Sequence, residues 1–283
     1  MPNSKAVIAY QGERGSNSHI ACNEVFPNFE ALPCRTFEDV FAAVEGGDAR
    51  LAMIPVENTL AGRVGDIHHL LPSTSLKMIG EHYMRIRFQL MGLKGTDIGE
   101  IKRAYSHVMA LGQCRQYLRE RSIIAITAAD TAGAARMVAE RGDLTAAAIA
   151  PSLAAEEYGL DILAYDIEDA QHNTTRFVIM SRDPVTIKPE DGKAVTTFLF
   201  QVRNIPSALY KALGGFATNG VNMTKLESYQ IEGSFNASQF YAEIEGHIDD
   251  PSVQLAMEEL GFFSSSIKIL GVYPAHPARD RFG

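Results

Sequence analysis

Three polar clusters lie at the ends of apolar stretches of the sequence, and each contains side chains that can bind a small anion or move a proton. The clusters are residues 12 to 19, residues 55 to 62 and residues 172 to 177. Hydroxyl and amide groups orient a ligand, a guanidinium forks onto a carboxylate, and a carboxylic acid such as Glu57 serves as acid, base or orienting partner. Binding of a carboxylate or phosphate is therefore the chemistry to look for.

The first cluster lies between a predicted strand and a predicted helix. Gly12 and Gly15 precede Ser16, Asn17 and Ser18, where free backbone N–H groups and the helix dipole favour an anion. No Gly-Lys-Ser/Thr follows and the third glycine of a dinucleotide loop is missing, so a nucleotide site is not indicated. Serine and asparagine also cap helices, and this second interpretation is equally open.

The other two clusters also have structural interpretations. Glu57 and Asn58 end an apolar strand and are typical helix caps, which local sequence alone favours. Asn173, Thr174, Thr175 and Arg176 come before a strand that is predicted to begin at Phe177. Arg176 either points at a ligand carboxylate or is a structural strut.

Strands and helices alternate along the first 180 residues, which predicts an α/β fold with parallel or mixed sheets. Ligands bind such sheets at the carboxyl ends of their strands. Strands are predicted at 6 to 10, 51 to 56, 85 to 92, 102 to 106, 123 to 127, 145 to 150, 160 to 167 and 177 to 180. Helices are predicted at 18 to 25, 37 to 46, 112 to 121, 130 to 141 and 151 to 158.

Residues 183 to 193 have a linker composition, with two prolines, a glycine and several charges. After them the order is strand (195 to 203), helix (206 to 218), strand (221 to 230), strand (236 to 246), helix (251 to 261) and strand (266 to 273). That order, β-α-β-β-α-β, predicts a ferredoxin-like domain.

Composition excludes several classes of protein. The chain has 283 residues, 46% of them hydrophobic and 21% charged, as in a folded soluble protein of two domains. A net charge of -8 without a basic patch argues against nucleic acid. Three cysteines without a Cys-x-x-Cys pair suggest a reducing compartment and no zinc site. Neither a signal peptide nor a membrane span is indicated, so a cytoplasmic location is expected.

Four ordered motifs resemble the prephenate dehydratase family. They are Gly-Glu-Arg-Gly-Ser-Asn-Ser-His-Ile-Ala, Ile-Pro-Val-Glu-Asn-Thr-Leu-Ala-Gly, Ser-His-Val-Met-Ala-Leu-Gly-Gln-Cys and Asn-Thr-Thr-Arg-Phe. The C-terminal Ala-Leu-Tyr-Lys-Ala-Leu and Asn-Gly-Val-Asn-Met-Thr-Lys-Leu-Glu-Ser resemble that family's ACT regulatory domain, a ferredoxin-like module. The resemblance covers nearly the whole chain. One departure is Val108-Met109 in place of Pro-Gln, and another is Tyr229-Gln230 in place of Arg-Pro.

The resemblance implies a catalytic domain over 1 to 186 that is similar to two-lobed periplasmic binding proteins. Lobe one would be about 1 to 77 and 168 to 186, lobe two about 78 to 167. It further implies decarboxylating dehydration of prephenate to phenylpyruvate in phenylalanine biosynthesis, without metal or cofactor. The catalytic residues it implies are Thr175, Glu57, Asn58 and Gln113. The substrate-binding residues it implies are Ser18, Thr59, Thr174, Arg176, Phe177, Asn173, His82 and Ser106.

An ACT domain over 194 to 275 would bind L-phenylalanine between paired domains, so a homodimer or homotetramer is expected. The matching effector positions are Ala208, Leu209, Asn222, Met223, Glu227 and Ser228. The departure at Tyr229-Gln230 leaves the detail of effector binding open.

Two other functions compete with prephenate dehydration. An arogenate dehydratase performs the same elimination on the amino-acid analogue, and one sequence does not identify the contacts that separate the two substrates. A non-catalytic two-lobed sensor would bind a small anion and signal through its ACT domain. Such a sensor usually carries a DNA-binding or membrane module, and the sequence shows no pattern for either.

Overall fold

The chain folds into two compact units in a computed structural model that describes residues 6–64, 67–170, 172–203, 205–230 and 238–282. The first unit comprises Met1–Gly65 and His82–Phe177, and the second comprises Asp66–Glu81 and Val178–Gly283. The second unit thus takes in a short stretch, residues 66 to 81, from the N-terminal half of the chain. The predicted domains, 1 to 186 and 194 to 275, remain a prediction.

Two mixed sheets and six helices make up the described part of the first unit. The first sheet has the order β2-β1-β3-β11-β5, with β4 paired to β3, and its strands are β1 (Val7–Gln11), β2 (Glu30–Cys34), β3 (Leu51–Asn58), β4 (Gly62–Arg63), β5 (Lys77–Arg85) and β11 (Thr174–Ser181). Strands β5 and β11 continue into the second unit. The second sheet has the order β10-β6-β9-β7-β8, and its strands are β6 (Gln89–Gly92), β7 (Arg103–Ser106), β8 (Ile124–Thr127), β9 (Ala146–Ala150) and β10 (Asp161–Ala164).

Both parallel and antiparallel pairs occur: β1 pairs in parallel with β2 and β3, whereas β9 pairs in parallel with β7 and antiparallel with β6. The helices of the first unit are α1 (Asn17–Val25), α2 (Phe37–Gly46), α3 (Val108–Gln113), α4 (Arg115–Glu120), α5 (Thr131–Arg141) and α6 (Ser152–Tyr158). The prediction of an α/β fold with mixed sheets is confirmed.

Local sequence explains where α2 begins and ends. The Thr36 hydroxyl accepts from the Asp39 N–H at 3.1 Å while the Asp39 carboxylate accepts from the Thr36 N–H at 3.2 Å, which is a capping box. Gly47 ends the helix at φ 93°, in the left-handed region that favours glycine. Phe37, Val40, Phe41 and Val44 are buried on one face.

The structure differs from the sequence prediction in several elements, among them β4 and α9, which were not predicted, and the predicted strand 85 to 92, of which only 89 to 92 form β6. Strand β2 was not predicted, since it carries Pro33 and is mostly half-exposed. Strand β5 was not predicted before residue 85, since it contains polar residues whose partners lie far along the chain. The predicted helix 112 to 121 is two helices that meet at Cys114. Strand β11 begins at Thr174, so Thr174, Thr175 and Arg176 are buried strand residues and do not form a loop before the strand.

The second unit has the predicted β-α-β-β-α-β order and a four-stranded sheet of order β13-β14-β12-β15. Its elements are β12 (Ala194–Val202), α7 (Ala208–Thr218), β13 (Met223–Gln230), β14 (Ser238–Glu245), α8 (Pro251–Phe263), β15 (Ser264–Pro274) and α9 (Arg279–Phe282). Residues 236 and 237 of the predicted third strand lie outside the described residues. Phe198, Phe200, Phe216 and Phe240 pack in the core between the sheet and its helices.

A buried ionic cluster joins three elements of the second unit. Arg279 of α9 donates to both carboxylate oxygens of Glu81 at 2.6 and 2.8 Å and to Glu243 of β14 at 2.8 Å. The Tyr241 hydroxyl donates to the other Glu243 oxygen at 2.5 Å. The side chains of Glu81 and Glu243 are 0% and 1% exposed. We call Arg279, Glu81 and Glu243 the ionic triad.

No helix in the described stretches of the chain is both long enough and apolar enough to cross a membrane.

Candidate active site

A cavity of about 370 Å³ lies within the first unit. Elements of both sheets supply its walls: the loop after β1 with the start of α1, the end of β3, the segment between β5 and β6, the starts of α3 and α5, and the start of β11. We call it the cleft. Its lining residues are Gln11, Gly12, Glu13, Ser16, Asn17, Ser18, Asn58, Ala61, Ile86, Phe88, His107, Met109, Ala110, Gln113, Ala129, Asp130, Thr131, Asn173 and Thr175.

Asn58 begins a chain of hydrogen bonds whose direction is determined by the backbone. Its Oδ1 accepts from the N–H groups of Leu60 at 2.9 Å and Ala61 at 2.8 Å. A backbone N–H can only donate, so these two bonds identify the amide oxygen of Asn58. The amide nitrogen must then point the other way, where it donates to Asn173 Oδ1 at 2.7 Å and to Thr175 Oγ1 at 2.9 Å.

The same logic extends to the ends of the chain. Because Asn173 Oδ1 accepts, its Nδ2 donates, and it does so to Gln113 Oε1 at 2.7 Å. The Nε2 group of Gln113 is left as a donor. Because Thr175 Oγ1 accepts from Asn58, its own hydrogen is left to donate as well, and neither donor group is bonded to a described residue. The chain therefore presents two neutral donors to the cleft. We call Asn58, Asn173, Gln113 and Thr175 the amide chain.

Thr59 and Thr174 hold the two strands of the amide chain together. The Thr59 hydroxyl donates to the carbonyl of His172 at 2.8 Å and accepts from the Thr174 N–H at 3.0 Å, and the Thr59 N–H donates to the Thr174 carbonyl at 2.9 Å. Neither residue lines the cleft. Their place in this structure is that of positioning residues beside Asn58 and Thr175.

The start of α1 supplies further donors. Ser16 caps the helix by accepting from the His19 N–H at 3.4 Å. Ser18 is buried and lines the cleft, and the N–H groups of Asn17 and Ser18, in the first turn of α1, have no partner within the helix. The first N–H groups of a helix favour an anion. The sequence prediction of an anion-binding loop thus has a geometry that suits it.

His19 contacts the loop before α1 through a hydrogen bond and through its ring. Its Nδ1 accepts from the Gly15 N–H at 3.0 Å, and its ring stacks on Tyr10 with centroids 5.3 Å apart. Burial lowers the pKa of His19 below its usual value. The neutral form is the one that can accept from Gly15, so burial and hydrogen bonding act in the same direction.

Arg176 and Glu57 are paired with each other outside the cleft lining. Arg176 Nη1 lies 3.0 Å from Glu57 Oε1, the Arg176 side chain is 3% exposed, and its guanidinium lies 5.9 Å from the centre of the Tyr83 ring. This ion pair is compatible with the structural role open to Arg176, and a role in substrate binding remains a prediction. Phe177 is a core residue next to it.

His82 and Ser106 also lie away from the cleft lining. His82 Nε2 is 2.8 Å from a carboxylate oxygen of Glu24. Ser106 is fully buried in β7, and its hydroxyl donates to the carbonyl of Ile149 in β9 at 2.6 Å. Both contacts tie structural elements together.

The cleft lining carries neither lysine nor arginine among its described residues. Its two carboxylates are engaged: Asp130 Oδ1 accepts from the Gly133 N–H at 2.6 Å as the cap of α5, and Glu13 lies 3.4 Å from Arg136. A ligand therefore meets neutral donors first. Among the described lining residues, His107 is the side chain that can become cationic.

A second cavity of about 420 Å³ contains two arginines, Arg85 and Arg87. Each faces a carboxylate, Glu168 at 3.5 Å and Asp166 at 3.3 Å. These ion pairs cancel the charge that would attract an anion, so the first cavity is the better candidate for the active site.

Sequence reasoning missed His107 and Met109 of the lining. The signal was present, because Ser-His-Val-Met was part of a matched motif. His107 caps α3, with Nδ1 accepting from the Met109 N–H at 3.3 Å. A polar residue directly before an apolar helical run indicates such a cap.

The predicted effector positions all lie in the second unit. Ala208 is buried and Leu209 packs on the core. Asn222 donates to Glu245 at 2.9 Å, whereas Ser228 is exposed and Met223 packs on the core. Burial would raise the pKa of Glu227, but bonds from Lys225 and Tyr229 outweigh it and lower that pKa. Effector binding at these positions remains a prediction.

The thiols and acidic clusters offer no obvious alternative chemistry. Burial raises the pKa of Cys22 to about 12 and also raises the pKa of Cys34 and Cys114, so none is prepared as a nucleophile. In the described residues no group of three or more His, Cys, Asp or Glu side chains could hold a metal ion. The expectation of a cofactor-free reaction remains a prediction.

The chain is similar to known proteins over almost its whole length. Residues 8–185 match the sequence model of the family described as prephenate dehydratase. The bifunctional N-acyl-homoserine lactone acylase/prephenate dehydratase of Komagataeibacter europaeus is 50% identical over 279 residues, which is 99% of both chains. Arogenate dehydratase 2 of Petunia hybrida is 35% identical, over 96% of this chain and 72% of its own.

A solved structure shares the fold. The prephenate dehydratase of Arthrobacter aurescens in complex with L-Phe superposes with a TM-score of 0.86 at 28% identity, over 95% of this chain and 90% of its own. Fold, cleft and comparisons together define an enzyme of the carbon-oxygen lyase class. The chain belongs to the prephenate dehydratase family, and the reaction it catalyses is the dehydration of prephenate.

Proposed function

We propose that Thr175 donates a hydrogen bond to the ring hydroxyl of prephenate as that hydroxyl leaves. The observation that carries this role is the direction of the amide chain, in which Asn58 Nδ2 donates to Thr175 Oγ1 at 2.9 Å and so turns the threonine hydrogen toward the cleft. A threonine hydroxyl is a poor acid. A hydrogen bond that strengthens as charge develops on the leaving oxygen is the role that suits it.

The electron movement explains why neutral donors suit this cleft. The bond from the ring to its carboxylate breaks and carbon dioxide leaves. The electron pair enters the ring, the bond to the hydroxyl oxygen breaks, and hydroxide departs and takes a proton from the solvent. Negative charge thus moves from the carboxylate to the hydroxyl oxygen. An arginine on the departing carboxylate would stabilise the charge at its starting point and raise the barrier.

The placement of Arg176 fits this requirement. Arg176 is held by Glu57 at 3.0 Å and lies outside the cleft lining. Glu57 is engaged by the same bond, which leaves Thr175 as the better supported group at the leaving oxygen. Asn58 and Gln113 position Thr175 and the substrate.

The second carboxylate of prephenate, on the pyruvyl side chain, remains in the product. We assign it to the start of α1, where the Ser18 hydroxyl and two backbone N–H groups converge and where the cap, Ser16, is neutral. The start of α5 is less suitable because its cap, Asp130, is already anionic. Ser18→Ala is therefore expected to raise the KM for prephenate more than it lowers kcat.

Substrate choice is tested by turnover. Purified protein is incubated with prephenate and, separately, with arogenate, and phenylpyruvate and phenylalanine are measured. We expect kcat/KM for prephenate to exceed that for arogenate, because the donor-lined cleft favours a keto acid over an ammonium group. A higher kcat/KM for arogenate would identify arogenate, instead of prephenate, as the principal substrate.

The β-α-β-β-α-β part, residues 194 to 275, is proposed to be an ACT domain that binds L-phenylalanine and inhibits the catalytic domain over 1 to 186. Its support is the element order and the L-Phe named with the Arthrobacter aurescens structure. A homodimer or homotetramer in the cytoplasm would fit such a biosynthetic enzyme. Equilibrium binding of phenylalanine without any change in turnover or substrate affinity would rule out the inhibitory role.

A second activity is favoured by one comparison. The Komagataeibacter europaeus relative is named as an N-acyl-homoserine lactone acylase as well as a prephenate dehydratase, and it is 50% identical over 99% of this chain. Incubation with an N-acyl-homoserine lactone, with release of the free fatty acid as the measurement, tests whether this chain shares it. Loss of any such release in Thr175→Ala would place it in the same cleft.

A further inference from the structure

His107 is a polar lining residue of the cleft for which sequence reasoning assigned no role. It occupies the cap position of α3, and Gln113, the last residue of that helix, receives the amide chain at its Oε1. The two ends of one short helix therefore both reach the cleft. Helix α3, which follows β7 of the second sheet, thus brings an imidazole and an amide to the cleft lining.

The cap bond determines which nitrogen of His107 carries the hydrogen. Nδ1 accepts from the Met109 N–H at 3.3 Å, so in the neutral ring the hydrogen lies on Nε2. Protonation would place a second hydrogen on Nδ1, opposite the Met109 N–H, and the cap bond would be lost. The neutral ring thus has one outward donor, Nε2–H.

The chemistry of the reaction indicates which substrate oxygen such a donor can contact with advantage. A donor on the departing carboxylate would oppose loss of carbon dioxide, and the leaving hydroxyl is assigned to Thr175. The carboxylate retained in the product keeps its charge throughout, so a bond to it stabilises substrate and transition state alike.

We propose that neutral His107 is a substrate-contacting residue whose Nε2–H donates a hydrogen bond to the carboxylate that prephenate retains in the product. It would hold that carboxylate from the second sheet while Ser18 and the start of α1 hold it from the first. This role rests on the proposed function of the cleft. It predicts a loss of affinity when His107 is replaced, in contrast to the loss of turnover predicted for Thr175.

Two substitutions separate the hydrogen bond from the helix cap. His107→Asn keeps an acceptor for the Met109 N–H, because asparagine is a good cap, but its side chain is too short to replace Nε2–H. His107→Gln places an amide N–H near the position of Nε2. We expect His107→Asn to raise KM for prephenate by about 10- to 100-fold with kcat within about threefold, and His107→Gln to recover most of the affinity.

Direct binding of phenylpyruvate gives a readout that does not depend on turnover. The product has the retained carboxylate, so its Kd by calorimetry should rise with KM in His107→Asn and recover in His107→Gln. An unmeasurable turnover of prephenate by the unaltered enzyme would overturn the proposed function of the cleft. The Kd values of phenylpyruvate in the unaltered protein and the two variants would still show whether His107 contacts the carboxylate. ¹⁵N spectra of labelled histidine should show the Nε2–H tautomer for His107.

Three results would overturn the role. Unchanged KM and Kd in His107→Asn would leave His107 as a helix cap alone. Equal losses in both variants with a lower melting temperature would mean that its role is structural. A fall in kcat at constant KM would place His107 at the leaving oxygen and would contradict the assignment to the retained carboxylate.

Discussion

The amide chain of the cleft and the ionic triad of the second unit solve the problem of buried polar groups in opposite ways. The amide chain uses uncharged side chains, and each member identifies the direction of the next. The triad places one guanidinium between two carboxylates that are almost completely buried. In the cleft, donor groups at the end of the chain remain available to a ligand. In the triad, the charged groups bond to one another within the protein.

The contrast between the amide chain and the ionic triad shows that buried charges occur where elements are held together and neutral donors occur in the cleft. A reaction in which negative charge moves from one oxygen to another is disturbed by a fixed ion nearby, whereas neutral donors respond to charge wherever it develops. A buried guanidinium and its carboxylates hold elements in one arrangement, because separating them would leave charges without partners. Losses in the cleft should therefore affect catalysis, and losses in the triad should affect stability.

The largest effect is expected from Thr175→Ala. Removal of the hydroxyl should lower kcat by about 10²- to 10⁴-fold, with KM changed only a few-fold, since the hydrogen bond is most important in the transition state. Steady-state kinetics with prephenate measure both. Thr175→Ser is the matched control and should retain most of the turnover. An unchanged kcat in Thr175→Ala would remove this residue from the mechanism.

Arg279→Met should act on stability. It leaves Glu81 and Glu243 buried without their cation, and the free energy of unfolding should fall by about 3 to 5 kcal/mol in urea titrations at neutral pH. Arg281→Met, at an exposed position two residues away, is the control and should unfold as the unaltered protein does. If both variants were equally stable, the triad would contribute nothing and the contrast with the cleft would fail.

Asn58→Asp changes one donor of the amide chain into an acceptor at almost constant shape. Thr175 and Asn173 then face an oxygen, and a negative charge enters a cleft that binds a dianion. We expect kcat/KM for prephenate to fall by about 10- to 100-fold, with little change in melting temperature. Activity near that of the unaltered enzyme would mean that the direction of the chain is unimportant.

Arg176→Lys tests whether Arg176, a charged residue next to Thr175, contributes to stability and not to substrate binding. A lysine keeps the charge next to Glu57 but loses the planar fork, so unfolding should become easier by about 1 to 3 kcal/mol while KM for prephenate stays the same. Melting curves and KM are measured together. A raised KM at unchanged stability would mean that Arg176 contributes to substrate binding.

The smallest effect concerns pH. The pKa of His19 is lowered in the folded protein by burial, so the unfolded chain binds more protons below the usual value of 6.5. Stability should therefore be complete above pH 6.5 and decline as the pH falls through the folded pKa. Urea titrations at several pH values measure the slope, and His19→Asn, which keeps an acceptor for the Gly15 N–H, should flatten it. A slope that is identical in both proteins would show that His19 does not contribute to it.

Local patterns predicted elements whose causes lie within a few residues. The capping box of Thr36 and Asp39, the stop at Gly47 and the buried face of α2 are all visible in the sequence. The β-α-β-β-α-β order was predictable for the same reason. Strand β5 was not, because Glu81 finds its partner Arg279 almost 200 residues away.

The site shows the same division. The residue types at 12 to 19, 57 to 59 and 173 to 177 indicated an anion site, and order along the chain identified the family. The sequence placed Arg176 beside Thr175 without deciding its direction. Successive strand residues point to opposite faces, so the donor lines the cleft and the guanidinium pairs with Glu57.

The sequence by itself determined the α/β class and the family, since these depend on local propensity and on ordered motifs. Only the tertiary structure decided which polar residues line the cleft. The direction of a hydrogen-bond chain depends on which groups meet across strands and loops more than 100 residues apart, as Asn58 meets Asn173 and Thr175. The backbone N–H groups of residues 60 and 61 set that direction. Because an N–H group can only donate, it determines which atom of Asn58 accepts, and this in turn determines the donor and acceptor of each amide that follows.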